Sequence, residues 1–572
     1  MAPPGPEGPG LDPPPAAAGS RGTSGSTSTF DESGLLALGD QVSRAKGADR
    51  KRRHTRHRTR HRKLWWTLGT LGVLIVVAVG GTVGYAWYLD SQIHRFNVKG
   101  LVDVPSDGAD AGTENILLVG STDRCALTVQ NAAYGLCSQG VNGVNSDVVM
   151  ILHLDPQRHS LSILSIPRDL FVPNARAEGA NKIDAALYEG PSQLVAAINE
   201  DLGIPIQHYV VLNFDTFANV VDALGGVKMY FPEPVFDAYS GLQVFTPGCV
   251  SLDGVHALQV VRARHLQYKP PGVTTTDPNY WPFENQSDLA RIRRDHEFLR
   301  VLGTAVAKNG LSNPITDAQL ISSVAPQLNV DRQFSTSDMV SMVLDFHGVN
   351  PDTAPQLTLP VQVDQFGSYQ YKGGSYGDIE FPSNVQDDSV IDQFLDIGPS
   401  TDTMTGQPLP APSTVTVSVL NGSGTTDQAS DTSTALAALG FKMVGIGDST
   451  PVGEESETVV YFANKTAADQ AAAEAVAKSL SGAVITALGP TVDGAQVTVV
   501  TGSQFTVNPP PAAAATPTTA ATATTAPSTT TTTTTTTTTN PSTAAFQAPT
   551  PAVTPLQPWD PRSCTASGGP GR

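Results

Sequence analysis

Arginine side chains recur in the central part of an acidic chain at spacings that could gather them round an anion. They are Arg124, Arg168, Arg262, Arg264, Arg291, Arg293 and Arg294. Arg262 and Arg264 lie two residues apart, so on a strand both would point to one face. Asp288, Arg291 and Asp295 lie three and four residues apart, so on a helix they would share a face. Because a guanidinium binds phosphate with charge-assisted hydrogen bonds of about 1.5–3 kcal/mol each, the pattern predicts a phosphate-binding site.

Carboxylates are expected at the same place. Asp147 begins one strand-like run and Arg168 follows the next, and the short loop between the runs makes them antiparallel, so the two residues face each other. Asp123 and Arg124 follow a third run and reach the same edge if that strand lies alongside. Carboxylates would repel a phosphate unless a divalent cation bridges them, and magnesium suits that role. Any single pair is better explained as an ordinary salt bridge, whereas the whole set favours a phosphate site.

The elements that would position these residues alternate between strands and helices over residues 113–398. Strand-like runs at 115–120 and 147–154 alternate with helical stretches at 191–202 and 287–308. This order predicts an α/β domain, a three-layer-like sandwich around a mixed central sheet.

A second, smaller unit follows a proline-rich linker at 399–413. Residues 414–505 are predicted to form a small α+β domain, with helices at 427–439 and 466–480 between strands. Residues 506–572 begin with proline, alanine and threonine and include eleven consecutive threonines. Such a composition cannot bury a core, so this segment is predicted to be a disordered tail.

An uncharged run of 26 residues at 64–89 predicts a single transmembrane helix. Nine Lys/Arg residues at 50–63 precede it, and aromatic residues lie at both of its ends. Residues 1–63 are therefore expected to form a disordered, basic cytoplasmic tail, with the rest of the chain outside the cell membrane. A cleaved signal peptide is the alternative, but its apolar region would be shorter and followed by small residues at a cleavage site.

Four cysteines follow this segment, and an exported location favours disulfides. Cys125 and Cys137 are the preferred pair because they are close in the sequence and flank a short loop. Cys249 and Cys564 could be free or paired with each other. The net charge of −18 argues against a nucleic-acid partner.

Seven motifs within residues 113–310 resemble the LytR-CpsA-Psr family, whose members attach glycopolymers to bacterial cell walls. They are Asn-Ile-Leu-Leu-Val-Gly-Ser (115–121), Ser-Ile-Pro-Arg-Asp (165–169), Asn-Lys-Ile-Asp-Ala-Ala (181–186), Val-Asp-Ala-Leu-Gly-Gly-Val (221–227), Leu-Asp-Gly-Val-His-Ala-Leu (252–258), Val-Arg-Ala-Arg (261–264) and Asp-Leu-Ala-Arg-Ile-Arg-Arg (288–294). Residues 414–505 look like the LytR C-terminal domain that accompanies the catalytic domain in many actinobacterial members.

The resemblance implies a phosphotransferase that moves a glycopolymer from a polyprenyl-pyrophosphate carrier to a peptidoglycan hydroxyl. Asp123 and Asp147 would hold magnesium, or manganese in its place. The groups that would bind the pyrophosphate are Arg124, Arg168, Lys182, Arg262, Arg264, Arg291 and Arg294. Arg168, Asp169 and Asp147 would be catalytic, with either carboxylate as the general base. The carrier lipid would need an apolar slot beside helices such as 194–198 and 289–302, although those residues are better explained as core.

Two other functions stay open. A non-catalytic wall-binding or regulatory membrane protein could retain the same fold, and a pyrophosphatase could use water in place of the sugar hydroxyl. In the smaller domain no catalytic constellation is visible, so we expect it to bind a partner such as a protein.

Overall fold

The computed structural model describes residues 84, 87–88, 90–107, 110–125, 127, 136–140, 143–285, 287–309, 324–346, 349–364, 367–509 and 550–571. The predicted cytoplasmic tail (1–63) and nearly all of the predicted transmembrane segment (64–89) lie outside these residues. Within the described ranges, no helix combines the length and the apolar character needed to cross a membrane. The features below all belong to one unit, Trp87–Arg572.

The large domain contains strands β1 to β18 and helices α1 to α6. In chain order the strands are His94–Phe96, Glu114–Ser121, Ser146–Asp155, Ser160–Ile166, Phe171–Arg176, Gly179–Lys182, His208–Leu212, Val227–Phe231, Val235–Asp237, Leu242–Val244, Gly248–Leu252, Gln267–Tyr268, Asn329–Asp331, Gln356–Thr358, Val361–Val363, Tyr369–Tyr371, Gly374–Gly377 and Glu380–Pro382. The helices are Pro191–Asp201, Phe214–Ala223, Gly254–Arg262, Ser287–Asn309, Thr336–Phe346 and Gln386–Leu395. Short 3-10 helices lie at Cys137–Gln139, Ile183–Glu189, Pro278–Tyr280 and Ala325–Gln327.

Seven of these strands form the central sheet, in the order β1-β13-β7-β2-β3-β4-β14. The sheet is mixed, because β2 runs antiparallel to β3 and parallel to β7. The β3–β4 turn is fixed by Asp155, whose Oδ1 accepts hydrogen bonds from the backbone N–H groups of Gln157 and Arg158 at 2.8 and 2.9 Å. The predicted antiparallel pairing of β3 and β4 is confirmed. Since β1 joins the sheet through β13, the domain begins earlier than the predicted residue 113.

Helices cover both faces of the sheet. Leu117 and Val119 belong to a core cluster that includes Leu194 of α1. Successive strand residues point to opposite faces, so Ile116 lies on the other side, in a cluster against which Met339 of α5 packs. Burial of each such side chain contributes roughly 1.5–3 kcal/mol. The prediction of an α/β domain built on a mixed central sheet is confirmed.

The small domain follows the linker and a 3-10 turn at Pro412–Thr414. Its strands β19 to β25 are Thr416–Asn421, Lys442–Asp448, Thr458–Phe462, Leu480–Gly482, Val484–Leu488, Val497–Thr501 and Phe505–Val507, and its helices α7 and α8 are Gln428–Ala438 and Ala467–Ala477. Five of the strands form a sheet in the order β20-β19-β24-β21-β23. Ile485 and Ala487 are buried in the same core cluster as Leu117, so the two domains share apolar core.

The C-terminal residues differ from the prediction of a disordered tail over 506–572. Residues 550–571 lie against the large domain, where strand β26, Arg562–Ser563, pairs with β8. The Trp559 ring stacks on Tyr268 with centroids 3.9 Å apart, and Asp560 is fully buried. The composition of 506–572 does not predict this ordered segment, because the residues that anchor it follow the threonine run.

Both pairs of cysteines form disulfides. Cys125 bonds to Cys137, as predicted. Cys249 of β11 bonds to Cys564, which decides the pairing that the sequence leaves open. The second bond fastens the C-terminal segment to the large domain across 315 residues of sequence.

Candidate active site

The site forms at the edge of the central sheet where β2 ends and β3 begins. A register shift between Gly120 and Ser121 leaves Asp147 as a bulge in β3, and a bulge re-aims its side chain. Asp147 Oδ1 accepts a hydrogen bond from Arg168, which follows β4. Arg291 Nη2 of α4 donates to the backbone oxygen of Asp147 at 2.6 Å. The predicted opposition of Asp147 and Arg168 is confirmed.

Asp288, in the first turn of α4, holds three guanidinium groups together. Its Oδ1 lies 2.9 Å from Arg291 Nη2, 3.3 Å from Arg264 Nε and 3.7 Å from Arg168 Nε. The position suits a carboxylate, because the positive end of the helix dipole lies there. Asp295 Oδ2 lies 3.7 Å from Arg291 Nε, so the predicted shared face of Asp288, Arg291 and Asp295 is confirmed.

Asp169 forms a second acidic centre beside the first. Lys182 Nζ donates to its Oδ1 at 2.7 Å. Its Oδ2 lies 3.4 Å from Arg168 Nε and 3.6 Å from Arg264 Nη2. The side chains of Arg168, Lys182 and Arg264 remain 18–26% exposed. A ligand can therefore reach these three cations, whereas Arg291 is almost fully buried.

Arg124 and Arg262 meet at a different group, the ring of Phe214. The Cζ atom of Arg262 lies 4.6 Å from the ring centroid and that of Arg124 lies 5.3 Å away. The strand predicted for Arg262 is wrong, because it is the last residue of helix α3. That helix begins where Asp253 accepts a hydrogen bond from the backbone N–H of His256.

The structure separates Arg294 from the predicted anion-binding set. Its side chain is fully buried, and its Nη1 donates to both carboxylate oxygens of Glu284 at 2.6 Å. Arg293 beside it donates to Asp560 Oδ2 at 2.5 Å. Arg294 lies three residues after Arg291, on nearly the same helix face, so helix spacing does not separate them. Tertiary packing does, because Glu284 and the backbone oxygen of Ala263 accept the hydrogen bonds of the Arg294 guanidinium. The prediction that Arg294 binds pyrophosphate is therefore corrected: its role is structural.

The charges of the site set its protonation states. Burial opposes ionisation of Asp147, but Arg291, Arg168 and Arg264 outweigh it and lower the pKa of that carboxyl. Asp169 follows the same pattern: burial opposes ionisation, yet Arg168 and Lys182 bring its pKa below the ordinary value. Both carboxylates are accordingly ionised at neutral pH.

Three acidic residues near these charges behave in the opposite way. Burial raises the pKa of Asp184 to about 6 and that of Asp295 to about 8. Burial, together with nearby Asp288 and Asp169, raises the pKa of Glu380 well above its ordinary value. Asp184 lies within the Asn-Lys-Ile-Asp motif, yet it is not among the predicted site residues. Glu380 is not among them either, because it lies on β18, a strand far along the chain.

An apolar cavity opens from the charged edge. It has a volume of about 110 Å³ and lies between the sheet and helices α2, α3 and α4. Its walls include Leu118, Met150 and Phe298, and its polar lining includes Asp147 and Arg262. Of the two predicted helical walls of an apolar slot, 289–302 contributes through Phe298, whereas the apolar residues of 194–198 belong to the core.

The residues predicted to hold a metal fit one kind of site. Among the described residues, no group of three or more His, Cys, Asp or Glu is placed to hold a metal ion. Magnesium, however, needs only one or two carboxylates when substrate phosphates complete its shell. Asp147 is ionised and 27% exposed, and Asp123 follows β2, the strand paired with β3. Asp147 thus fits a cation that is bound together with a phosphate, rather than a metal centre built by protein groups alone, and Asp123 stays a predicted second ligand.

Comparison with known proteins gives two family matches. Residues 89–381 match the model of the LytR_cpsA_psr family, and residues 414–505 match the model described as LytR cell envelope-related transcriptional attenuator. The second match coincides with the boundaries predicted for the small domain.

Among individual relatives, the chain is 32% identical over 293 residues to a protein of Corynebacterium glutamicum named probable cell wall biosynthesis protein LcpB, covering 50% of this chain and 64% of that protein. It is 27% identical over 203 residues to the polyisoprenyl-teichoic acid–peptidoglycan teichoic acid transferase TagU of Bacillus cereus, covering 35% and 63% respectively. The chain thus spans less than two thirds of the length of either relative.

A solved structure titled LytR-Csp2A-Psr enzyme from Actinomyces oris is 23% identical, with a TM-score of 0.40, and the match covers 54% of this chain and 97% of that one. Since the family model matches about half of the chain, over the residues that form the charged sheet edge, the chain belongs to the LytR-CpsA-Psr family.

Proposed function

We propose that this chain is a transferase that moves a phosphate-linked glycopolymer from a polyprenyl-pyrophosphate carrier to a hydroxyl of peptidoglycan. The observation that carries the proposal is the convergence of Arg168, Lys182, Arg264 and Arg291 with ionised Asp147 beside an apolar cavity. A diphosphate attached to a long lipid needs both features in one place. The names of the Corynebacterium and Bacillus relatives, a cell wall biosynthesis protein and a wall-polymer transferase, support the same chemistry.

The proposed step exchanges a phosphoanhydride bond for a phosphate ester. The acceptor hydroxyl attacks the phosphorus that carries the glycan, the bond between that phosphorus and the bridging oxygen breaks, and polyprenyl phosphate leaves. The product is a phosphodiester between glycan and peptidoglycan. The hydroxyl proton passes to a carboxylate of the site, and Asp147 and Asp169 are both ionised and so able to accept it.

The chain's cations supply most of the assistance that this step requires. In the absence of a ligand, Asp147, Asp169 and Asp288 hold the guanidinium groups of Arg168 and Arg264 in place. A diphosphate would take over hydrogen bonds from these partly exposed groups and place its charge where they already point. Such preorganisation stabilises charge in the transition state, and loss of one donor typically costs about 10²–10³ in rate.

A bound magnesium or manganese ion would be held by Asp147 and Asp123 and would neutralise part of the diphosphate charge. Arg124 and Arg262, stacked on Phe214, lie beside the cavity and would bind outer phosphate oxygens or the acceptor. The cavity between the sheet and α2–α4 would hold the first isoprene units of the carrier. These roles agree with an enzyme that is anchored through residues 64–89 and works outside the cell membrane.

A reconstituted reaction tests the proposal. The purified full-length chain is supplied with magnesium, a short polyprenyl-pyrophosphate-linked glycan and peptidoglycan fragments, and products are identified by mass spectrometry. We expect a glycan joined to the fragment through one phosphate, together with polyprenyl phosphate. Release of free phosphorylated glycan without a wall product would identify a pyrophosphatase instead. Donor binding without any product would indicate a non-catalytic protein.

Replacement of each carboxylate separates the two candidate bases. Asp169→Asn and Asp147→Asn are compared for transfer rate and for magnesium dependence. The base variant should lose rate at every magnesium concentration. The metal-binding variant should recover part of its rate when magnesium is raised, because its defect lies in cation affinity.

A further inference from the structure

A second recess lies where the large and small domains meet. It is an open cleft of about 730 Å³, within the roughly 300–1,000 Å³ of a ligand pocket. Tyrosines from both domains line it: Tyr188, Tyr371 and Tyr376 from the large domain and Tyr461 from the small one. Because the cleft is open to solvent, it can hold part of an extended oligomer whose ends continue beyond it.

The tyrosine rings are held in place by their neighbours. The Cζ atom of Arg176 lies 4.6 Å from the ring centroid of Tyr188, whose side chain is 65% exposed. Tyr371 donates a hydrogen bond to Glu455 Oε1 at 3.2 Å, and Lys372 Nζ lies 4.6 Å from its ring centroid. Fixed aromatic rings with polar neighbours offer a ligand both apolar contact area and hydrogen bonds.

The charges that line the cleft are balanced, unlike those of the sheet edge. Two cations, Arg176 and Lys372, are matched by two anions, Glu178 and Glu189. Arg176 Nη1 lies 3.8 Å from Glu189 Oε1 and Lys372 Nζ lies 3.0 Å from Glu455 Oε1, so these cations already have acidic partners. Such a lining gives neither a polyanion nor a polycation a favourable electrostatic interaction. It suits a neutral polymer that offers hydroxyl groups and flat C–H faces.

We propose that this cleft binds an oligosaccharide strand. The inference rests on the proposed function. In that function, the cleft would hold a part of the glycan that lies away from the reacting phosphate. The carbohydrate rings would stack on Tyr188 and its neighbours, and their hydroxyl groups would bond to the asparagine, arginine and glutamate side chains of the lining.

The cleft and the sheet edge share one structural element, the β5–β6 hairpin. Gly179, Ala180 and Asn181 of β6 line the cleft, and the next residue, Lys182, donates to Asp169 in the charged site. Asn181 and Lys182 are consecutive in this strand, so their side chains point to opposite faces, with the cleft on one side of the hairpin and the charged site on the other. A saccharide bound in the cleft would therefore leave the reacting groups unoccupied.

Titration with two tetrasaccharides tests the proposal. The probes are tetra-N-acetylchitotetraose and cellotetraose, which share the same linkage and differ in their acetamido groups, and binding to the purified full-length chain is measured by calorimetry. We expect binding that weakens at least tenfold in Tyr188→Ala. Tyr280→Ala is the matched control, because Tyr280 is a 76% exposed tyrosine outside the cleft, and it should bind as the unaltered chain does.

The two probes also distinguish the source of the saccharide. Preference for the acetylated probe supports the proposal with the peptidoglycan strand as ligand, and equal binding supports it with the transferred polymer as ligand. Absence of binding at low-millimolar probe, or equal loss in both tyrosine variants, would overturn it. Arg168→Ala separates this inference from the proposed function, since it should slow transfer by about 10²–10³ and leave tetrasaccharide affinity unchanged.

Discussion

Helix α4 carries arginines into two charged clusters made of the same residue types. On one side, Arg291 joins Asp288, Arg264 and Arg168 at the sheet edge. On another side, Arg293 and Arg294 join Glu284 and Asp560. In the first cluster Arg168 and Arg264 are 18% and 26% exposed, whereas in the second each side chain is 6% exposed or less.

The difference shows how a binding site can be distinguished from a structural ion-pair network. In the buried cluster, Arg294 is enclosed and bonded to both Glu284 oxygens, so a ligand has nothing to replace. At the sheet edge, the carboxylates do not satisfy every hydrogen-bond donor of the cations. The guanidinium groups of Arg168 and Arg264 also remain within reach of a ligand. Both clusters contain the same residue types. Whether a ligand can reach the side chains decides which cluster can bind one.

The largest expected effect is on catalysis at the sheet-edge cluster of Arg168, Arg264, Asp288 and Arg291, which we call the open cluster. Arg168→Ala should reduce kcat/KM for transfer by about 10²–10³, because a donor to the diphosphate is lost. Arg168→Lys keeps the charge but loses the planar fork, and should recover only part of the rate. The free energy of unfolding should change little in both. Near-normal turnover in Arg168→Ala would show that the open cluster is not the anion-binding site.

The next effect is on stability at the buried cluster. Asp560→Asn removes the partner of Arg293 and should lower the free energy of unfolding by about 3–5 kcal/mol, because a buried cation loses its counter-charge. Asp352→Asn is the matched control, since Asp352 is 51% exposed and pairs with Arg300 of the same helix, and its loss should cost less than about 1 kcal/mol. Guanidinium unfolding measures both. Equal effects would contradict the contrast drawn from burial.

The disulfide that fastens the C-terminal segment should have a smaller effect of the same kind. The double substitution Cys249→Ser with Cys564→Ser should cost about 2–4 kcal/mol by freeing the segment that supplies Asp560. Turnover of the folded fraction should be retained, because the bond lies outside the open cluster. Loss of transfer at unchanged stability would place the segment in the active site instead. Unfolding curves and rates at one temperature distinguish these outcomes.

The smallest effect concerns pH. Burial raises the pKa of Asp295, beside Arg291, to about 8. A carboxyl whose folded pKa is raised contributes stability that is complete below its unfolded pKa and is lost as the pH rises through about 8. Asp295→Asn should therefore flatten the fall in stability between about pH 4 and pH 8, because the amide cannot lose a proton. Parallel pH profiles of the melting temperature check this, and identical profiles would exclude Asp295 as a contributor.

Several parts of the molecule could be predicted from the sequence because they depend on local pattern. The antiparallel pairing that places Asp147 opposite Arg168 follows from two alternating runs and a short loop. The shared face of Asp288 and Arg291 follows from helical spacing. The Cys125–Cys137 disulfide follows from proximity along the chain. In the small domain, the helices predicted at 427–439 and 466–480 are found at Gln428–Ala438 and Ala467–Ala477.

The errors have two sources. Two of them are local: Arg262 lies on a helix that the Asp253 cap begins and not on the predicted strand, and the predicted pyrophosphate ligand Arg294 has an internal partner, Glu284, ten residues earlier. The third is distant: the composition does not reveal the ordered C-terminal segment, because its anchor Trp559 lies 20 residues after Thr539, the end of the threonine run, and packs on the large domain.

The sequence by itself determined the family of this protein, the main strands and helices of its two domains, and the charged residue types available for phosphate chemistry. Tertiary structure alone decided which of those charges a ligand can reach. The physical reason is that the exposure and the pKa of a side chain depend on the dielectric and the partners around it. For Arg293, the decisive partner is Asp560, which lies 267 residues away and is brought back by the C-terminal segment.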